Sequence, residues 1–217
     1  MSNIRCRIFN CGKRIQHTIL FAGLLAAVLL TVSLSPGEAS PEPKQDVLSK
    51  VFFLVADKHI TGSIFANSVV FLISYDQSGA LGVIINKPSD VKLSSVFPDI
   101  KGLANRKDTA FIGGPVSVNL LMILIRSRNL YGDSLPLFDD VYLSSDTAAL
   151  KEIVDGKGGN GKFRVYAGYA GWDPGQLENE ISRGDWRLVQ ADPKYIFDKP
   201  ASSIWPELYG KAAGLQI

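Results

Sequence analysis

Cysteine is confined to the first eleven residues of this 217-residue chain, as Cys6 and Cys11. No later segment can form a disulfide, so whatever folds downstream depends on its own core. Histidine is almost as scarce, with only His17 and His59. One histidine and no cysteine beyond residue 17 cannot assemble the usual zinc sites. A Ser-His-Asp triad would have to use His59, and no G-x-S-x-G elbow accompanies it. Its position after an apolar run is that of a turn histidine. The phosphate loop G-x-x-x-x-G-K-[ST] is also missing. Gly156–Lys162 (GKGGNGK) has the glycines and lysines, but at the wrong spacing and after a helical pattern. Neither a metal nor a cofactor is expected.

A strong charge imbalance is absent too. The formal net charge is +2, but Arg5, Arg7, Lys13 and Arg14 precede residue 40 against Glu38 alone. Without that leader, residues 40–217 carry about one net negative charge, which gives no global attraction to phosphate backbones. No nucleic-acid partner is expected.

The leader itself is informative. Ile19–Leu34 (ILFAGLLAAVLLTVSL) is free of charge, follows the four cations and precedes Pro36-Gly37-Glu38-Ala39. That order matches a secretory signal, with Gly37 and Ala39 as the small residues before a cleavage point. The run also approaches spanning length, so cleaved signal and retained membrane anchor both stand. In either case the positive-inside rule places the downstream domain outside the cytoplasm, in the periplasm. The chain divides into a leader (1–39), a polar linker with two prolines (40–46) and a domain (47–217).

Within the domain, Val51–Ala56 (VFFLVA), Ser68–Tyr75 (SVVFLISY) and Ala80–Asn86 (ALGVIIN) are continuous apolar runs of strand length. Such runs imply strands buried on both faces. Asp76-Gln77-Ser78-Gly79 joins the last two as a hairpin turn. Further strands are expected at Thr109–Ile112, Leu120–Ile125, Val141–Leu143, Phe163–Ala167 and Trp186–Val189, with a surface loop over Arg126–Asp140. Helices are expected at Thr147–Asp155 and Pro174–Arg183, the latter with Asp173 as N-cap and Gln176 completing a capping box. Short helices are expected near Leu93–Phe97 and Trp205–Lys211. Irregular alternation of strands and helices favours an α+β fold with a mixed sheet over a doubly wound one.

The densest stretch is Tyr166–Ile181 (YAGYAGWDPGQLENEI), a strand end, a glycine-aromatic turn and a helix start. Its glycines permit sharp turns and its rings supply buried area; the same features suit a structural junction or a binding site. Gly113-Gly114-Pro115 allows two readings as well, a strand exit or amides facing a ligand. Glu178 and Glu180 lie two apart on a helix, about 200° around it, and cannot pair with each other. Either could pair with a distant acid such as Asp198. Arg126, Arg128, Arg183 and Arg187 read as solvated.

Four motifs resemble the AlgH/YqgE family in its own order, from about Leu54 to the end. They are Phe65-Ala66-Asn67-Ser68-Val69-Val70, Gly82-Val83-Ile84-Ile85-Asn86-Lys87-Pro88, Gly113-Gly114-Pro115-Val116 and YAGWDPGQLENEI from Tyr169; Trp186 and Trp205 fit later tryptophans. The resemblance implies an α+β domain with a bifurcated mixed sheet folded into a pseudo-barrel. It carries a label of transcriptional regulator but implies no mechanism. Most relatives lack an export segment, and relatives commonly carry a histidine where Leu120–Arg126 ends LIR.

The expected function is a non-enzymatic binding or interaction module for an unknown protein or small-molecule ligand, with membrane contact through residues 19–34 if the leader is retained. The candidate site residues are Asn86, Gly114, Trp172, Gln176 and Glu178, drawn from three motifs on the assumption that they converge. The alternatives are the regulator and a hydrolase using paired carboxylates.

Overall fold

The continuous apolar runs become strands that bury both faces, and their alternation divides the core. The computed structural model describes residues 51–156 and 161–213; the leader, the linker and residues 157–160 of the glycine-rich turn lie outside them. Ten strands form one sheet: β1 (Phe52–Ala56), β2 (Val69–Asp76), β3 (Gly79–Ile84), β4 (Pro88–Lys92), β5 (Thr109–Ile112), β6 (Val116–Arg126), β7 (Leu135–Phe138), β8 (Val141–Ser144), β9 (Lys162–Trp172) and β10 (Trp186–Gln190). In β1, Phe53 and Val55 join one core cluster while Leu54 and Ala56 join another. In β6, Met122 and Leu124 face the first cluster and Ile123 and Ile125 a third.

The main order is β10-β1-β2-β3-β9-β6-β8-β7, antiparallel throughout. The exception to antiparallel pairing is β5, which runs parallel to β9 and brings β4 with it. This makes β9 the point of bifurcation. One edge of β9 pairs with β6, while the other pairs first with β5 at Tyr166–Ala167 and then with β3 at Ala170–Trp172. The sheet curls into a half-barrel around the first cluster, where Phe71 of β2 meets Phe138 of β7 with ring centroids 5.4 Å apart. The α+β, bifurcated pseudo-barrel expectation therefore holds.

The fork is built on glycine. Gly168 takes φ 72°, a left-handed kink between the two pairings of β9. A Cβ on Gly114 would lie 2.1 Å from the carbonyl carbon of Tyr169, so only glycine lets the exit of β5 cross β9 this closely. The Gly113 amide donates to Ala167 O, and its carbonyl accepts from the Ile84 amide, both at 2.8 Å.

Five α-helices lie among the described residues: α1 (Leu93–Val96), α2 (Thr147–Val154), α3 (Gln176–Ser182), α4 (Pro193–Phe197) and α5 (Ala201–Ala213). The Asp146 carboxylate caps α2 by accepting from the Ala148 amide at 2.8 Å. None of the described helices is long and apolar enough to cross a membrane.

Three sequence expectations need correction. The strand expected to stop at Ala167 continues to Trp172, because Gly168 absorbs the kink and the residues beyond it find β3 as a partner. The expected loop Arg126–Asp140 contains the edge strand β7 and the buried Tyr131. Helix α3 starts at Gln176, not Pro174, because Gly175 occupies the N-cap with φ 78°. Half of the expected capping box does form, with the Asp173 amide donating to Gln176 Oε1 at 3.1 Å.

Candidate functional site

Helix α3 lays one carboxylate between two tryptophans. Glu180 Oε2 accepts from Nε1 of Trp172, at the end of β9, and from Nε1 of Trp186, at the start of β10, each at 2.8 Å. Glu180 Oε1 accepts from Nε2 of Gln176, one turn earlier on α3, at 2.9 Å. Three of the roughly four acceptor positions of the carboxylate are thus filled. The indoles are buried and meet edge-on, with centroids 6.0 Å apart. Phe65 completes the group, 5.6 Å from the Trp186 ring and 6.5 Å from the Trp172 ring.

Phe65 reaches this position because the second motif clamps the loop that carries it. Asn86 Nδ2 donates to Asn67 O and Asn86 Oδ1 accepts from the Val69 amide, both at 2.9 Å. The Lys87 ammonium donates to Ala66 O at 2.9 Å. Asn67 takes φ 52°, a backbone state asparagine tolerates better than most residues. The rings, with Ile60 and Pro115, wall a cavity of about 270 Å³ whose polar lining is Gln176, Glu180, Arg183 and Asp185. All four motifs therefore supply or position part of one cavity.

An ionic cluster shares Asp185 with this cavity. His59 is exposed in the turn after β1, with Nδ1 3.0 Å from Asp57 Oδ1 and Nε2 2.9 Å from Asp185 Oδ1. Only the doubly protonated ring can donate to both carboxylates. The Asp185 bond first, and the Asp57 bond next, raise the His59 pKa above its ordinary 6.5. Burial pushes Asp57 upward, but the Arg187 guanidinium, the His59 amide, the Tyr209 hydroxyl and the His59 ring together bring it down to about 2. Arg187 donates to Asp57 Oδ2 at 2.7 Å and stacks on Tyr209, 4.3 Å from the ring centroid.

The candidate residues thus have different placements. Trp172 and Gln176 line the cavity, and Asn86 supports its loop without lining it. Gly114 sits at the strand fork beside Pro115, its place set by the close backbone approach. Glu178 turns away to β2, where it accepts from the Tyr75 hydroxyl and, with burial, raises that phenol to about 12. Phe65, Trp186 and Glu180 were not among the candidates, and Glu180 was considered only as half of a carboxylate pair. Its signal was faint, since a carboxylate on an exposed helix face resembles a solvated one until β9 and β10 are known to flank it. The suggested pairing of Glu178 or Glu180 with Asp198 is not found; Asp198 bonds Arg126 and Lys162. Three arginines read as solvated are ion-paired: Arg126 with Asp140 and Asp198, Arg183 with Asp185, and Arg187 with Asp57. Among the described residues no cluster of three His, Cys, Asp or Glu is placed to hold a metal.

Replacing Glu180 with Ala leaves two buried indole N–H groups without an acceptor and is expected to cost about 2–4 kcal/mol. Glu180→Gln, which keeps one acceptor oxygen, should cost less; denaturant unfolding followed by tryptophan emission measures both. The His59 bridge has a definite pH sign. A raised folded pKa gives stabilisation that is complete below 6.5 and is lost as pH climbs through the folded value. An NMR titration should place His59 above 6.5 and show it falling in Asp185→Asn; an unshifted His59 would contradict the bridge.

This geometry can be set beside known proteins. A family described as AlgH-like (DUF179) matches residues 53–215. A UPF0301 protein of Ralstonia pickettii is 34% identical over 168 residues, covering 75% of this chain and 86% of its own length. A UPF0301 protein of Methylococcus capsulatus is 35% identical over 169 residues, covering 76% and 91%. The solution structure of AlgH from Pseudomonas aeruginosa superposes with a TM-score of 0.63 at 30% identity, over 82% of this chain and 94% of that one. The crystal structure of protein DIP2367 from Corynebacterium diphtheriae gives 0.64 at 25% identity, over 74% and 85%. With its fork, its motif order and these likenesses in agreement, this chain belongs to the AlgH-like (UPF0301) family.

Proposed function

We propose that the domain is a non-enzymatic binding module acting outside the cytoplasm, and that its ligand or protein partner engages the cavity of Trp172, Trp186 and Phe65. The observation that carries this is the convergence of all four motifs on one concave, ring-walled space. Two indoles, a phenyl ring, Ile60 and Pro115 suit an apolar or aromatic group, while Gln176, Arg183 and Asp185 offer hydrogen bonds to its polar end. The extracytoplasmic placement rests on the charge-free Ile19–Leu34 segment behind four cations.

The chemistry of the cavity favours binding over hydrolysis. A carboxylate acting as general acid needs its pKa raised and its oxygen free to reach substrate. The oxygens of Glu180 are engaged by three donors. The carboxylates with displaced pKa values, Asp57, Asp185, Asp192, Asp198 and Glu207, are all displaced downward. The regulator label conflicts with an exported domain, which cannot contact chromosomal DNA.

The test is a tryptophan-emission screen of small aromatic and apolar compounds against the purified protein, with Phe65→Ala as the comparison. At least one compound should saturate the wild type and lose tenfold or more in affinity in the variant. Hits indifferent to Phe65→Ala would overturn the site. Cell fractionation with sequencing of the mature N-terminus tests placement, and recovery of uncleaved protein from the cytosol would overturn it.

A further inference from the structure

A second concave site lies at the other end of β9, and none of its lining residues belongs to the aromatic cavity. Arg164 and Trp172 are eight residues apart on the strand, at most about 26 Å at ~3.3 Å per residue given the kink at Gly168. The cleft has a volume of about 380 Å³, within the range of small-molecule pockets. Its lining includes the cations Arg106, Lys162 and Arg164 against the single carboxylate Asp108, together with the rings of Phe111, Phe163 and Phe197.

The three cations differ in what already holds them. Arg106 is paired with Asp108 at 2.5 Å and lies over the Phe163 ring, 5.3 Å from its centroid. Lys162 bonds Asp198, which Arg126 shares. Arg164 has no carboxylate partner among the described residues. Its guanidinium stacks on Phe111, 4.6 Å from the ring centroid, and makes one long 3.4 Å bond to Lys199 O. Stacking fixes the plane of a guanidinium while leaving its N–H fork open, the arrangement suited to two-point recognition of a phosphate. Next to the cleft, the buried Tyr131 hydroxyl has no partner among the described residues; it lies against Gly161, which lines the cleft.

We propose that this cleft binds a phosphate monoester carrying a planar apolar group. The phosphate sits on the open fork of Arg164 with Lys162 beside it, and the planar group rests against Phe197. Charge selects an anion, since Arg106 and Lys162 are each paired with a carboxylate and the Arg164 cation is left over among the described residues. Phe197, the lining ring over which none of the described cations lies, selects the body attached to the phosphate.

Calorimetric titration of the full chain with phenyl phosphate, inorganic phosphate and phenol tests the proposal. Phenyl phosphate should bind at least tenfold more tightly than either fragment, and the binding should weaken as sodium chloride is added. Arg164→Gln should lower phenyl phosphate affinity tenfold or more at an unchanged melting temperature, whereas Phe65→Ala in the aromatic cavity should leave it unaltered. If Arg164→Gln does not fold, Arg106→Gln, on the flank of the cleft, should show a smaller loss in the same direction. No saturable binding of phenyl phosphate, affinity equal to that of inorganic phosphate, affinity indifferent to Arg164→Gln and Arg106→Gln, or affinity lost in Phe65→Ala would overturn the site. Because Phe65→Ala separates the two cavities, failure here leaves the aromatic cavity untouched.

Discussion

Glu180 joins two strands that the sheet order keeps apart. Trp172 ends β9, Trp186 begins β10, and β3, β2 and β1 lie between them. In a flat sheet four spacings of ~4.8 Å would separate those strands by about 19 Å. Here the two rings meet at 6.0 Å, and both N–H groups end on one carboxylate oxygen. Each such bond to a charged acceptor contributes on the order of 1.5–3 kcal/mol, and each avoids leaving a buried indole donor unpaired. The aromatic cavity depends on this arrangement, because its walls are the same two rings.

The second constraint is steric and lies within β9. The strand serves two partners on one edge by kinking at Gly168, and β5 crosses it where Gly114 leaves no room for a side chain. The fork sends Pro115 toward the aromatic cavity and Phe111 toward the cationic cleft. One long strand thereby organises two chemically different concavities, ring-walled at its C-terminal end and cationic at its N-terminal end. The Asn86 clamp adds the remaining wall by holding the Phe65 loop over the tryptophans.

Strands such as β1, β2 and β6 were legible because burial on both faces leaves an uninterrupted apolar run. β4 (PSDVK) and β7 (LPLF) were not, since β4 is mostly exposed and each rests on one neighbour, with little side-chain pattern to announce it. The glycines at 113, 114 and 168 signalled an unusual backbone without saying that two strands cross there. Asn86, Trp172 and Gln176 stood out through their motifs, yet their roles as loop clamp, cavity wall and donor to Glu180 follow from contacts between distant segments. Glu180 and Arg164 were opaque for one reason. A charged residue becomes a clasp or a free fork only through its neighbours, and those neighbours come from elsewhere in the chain.

The claim that one carboxylate couples β9 to β10 is tested most directly by two double-mutant cycles, pairing Glu180→Ala with Trp172→Phe and with Trp186→Phe. Phenylalanine keeps a ring but removes the N–H, so each cycle isolates one bond to Glu180 from the packing around it. Shared coordination predicts coupling of about 1.5–3 kcal/mol in both cycles. Additive free energies in either cycle would show that the carboxylate does not couple the two strands and would contradict the account.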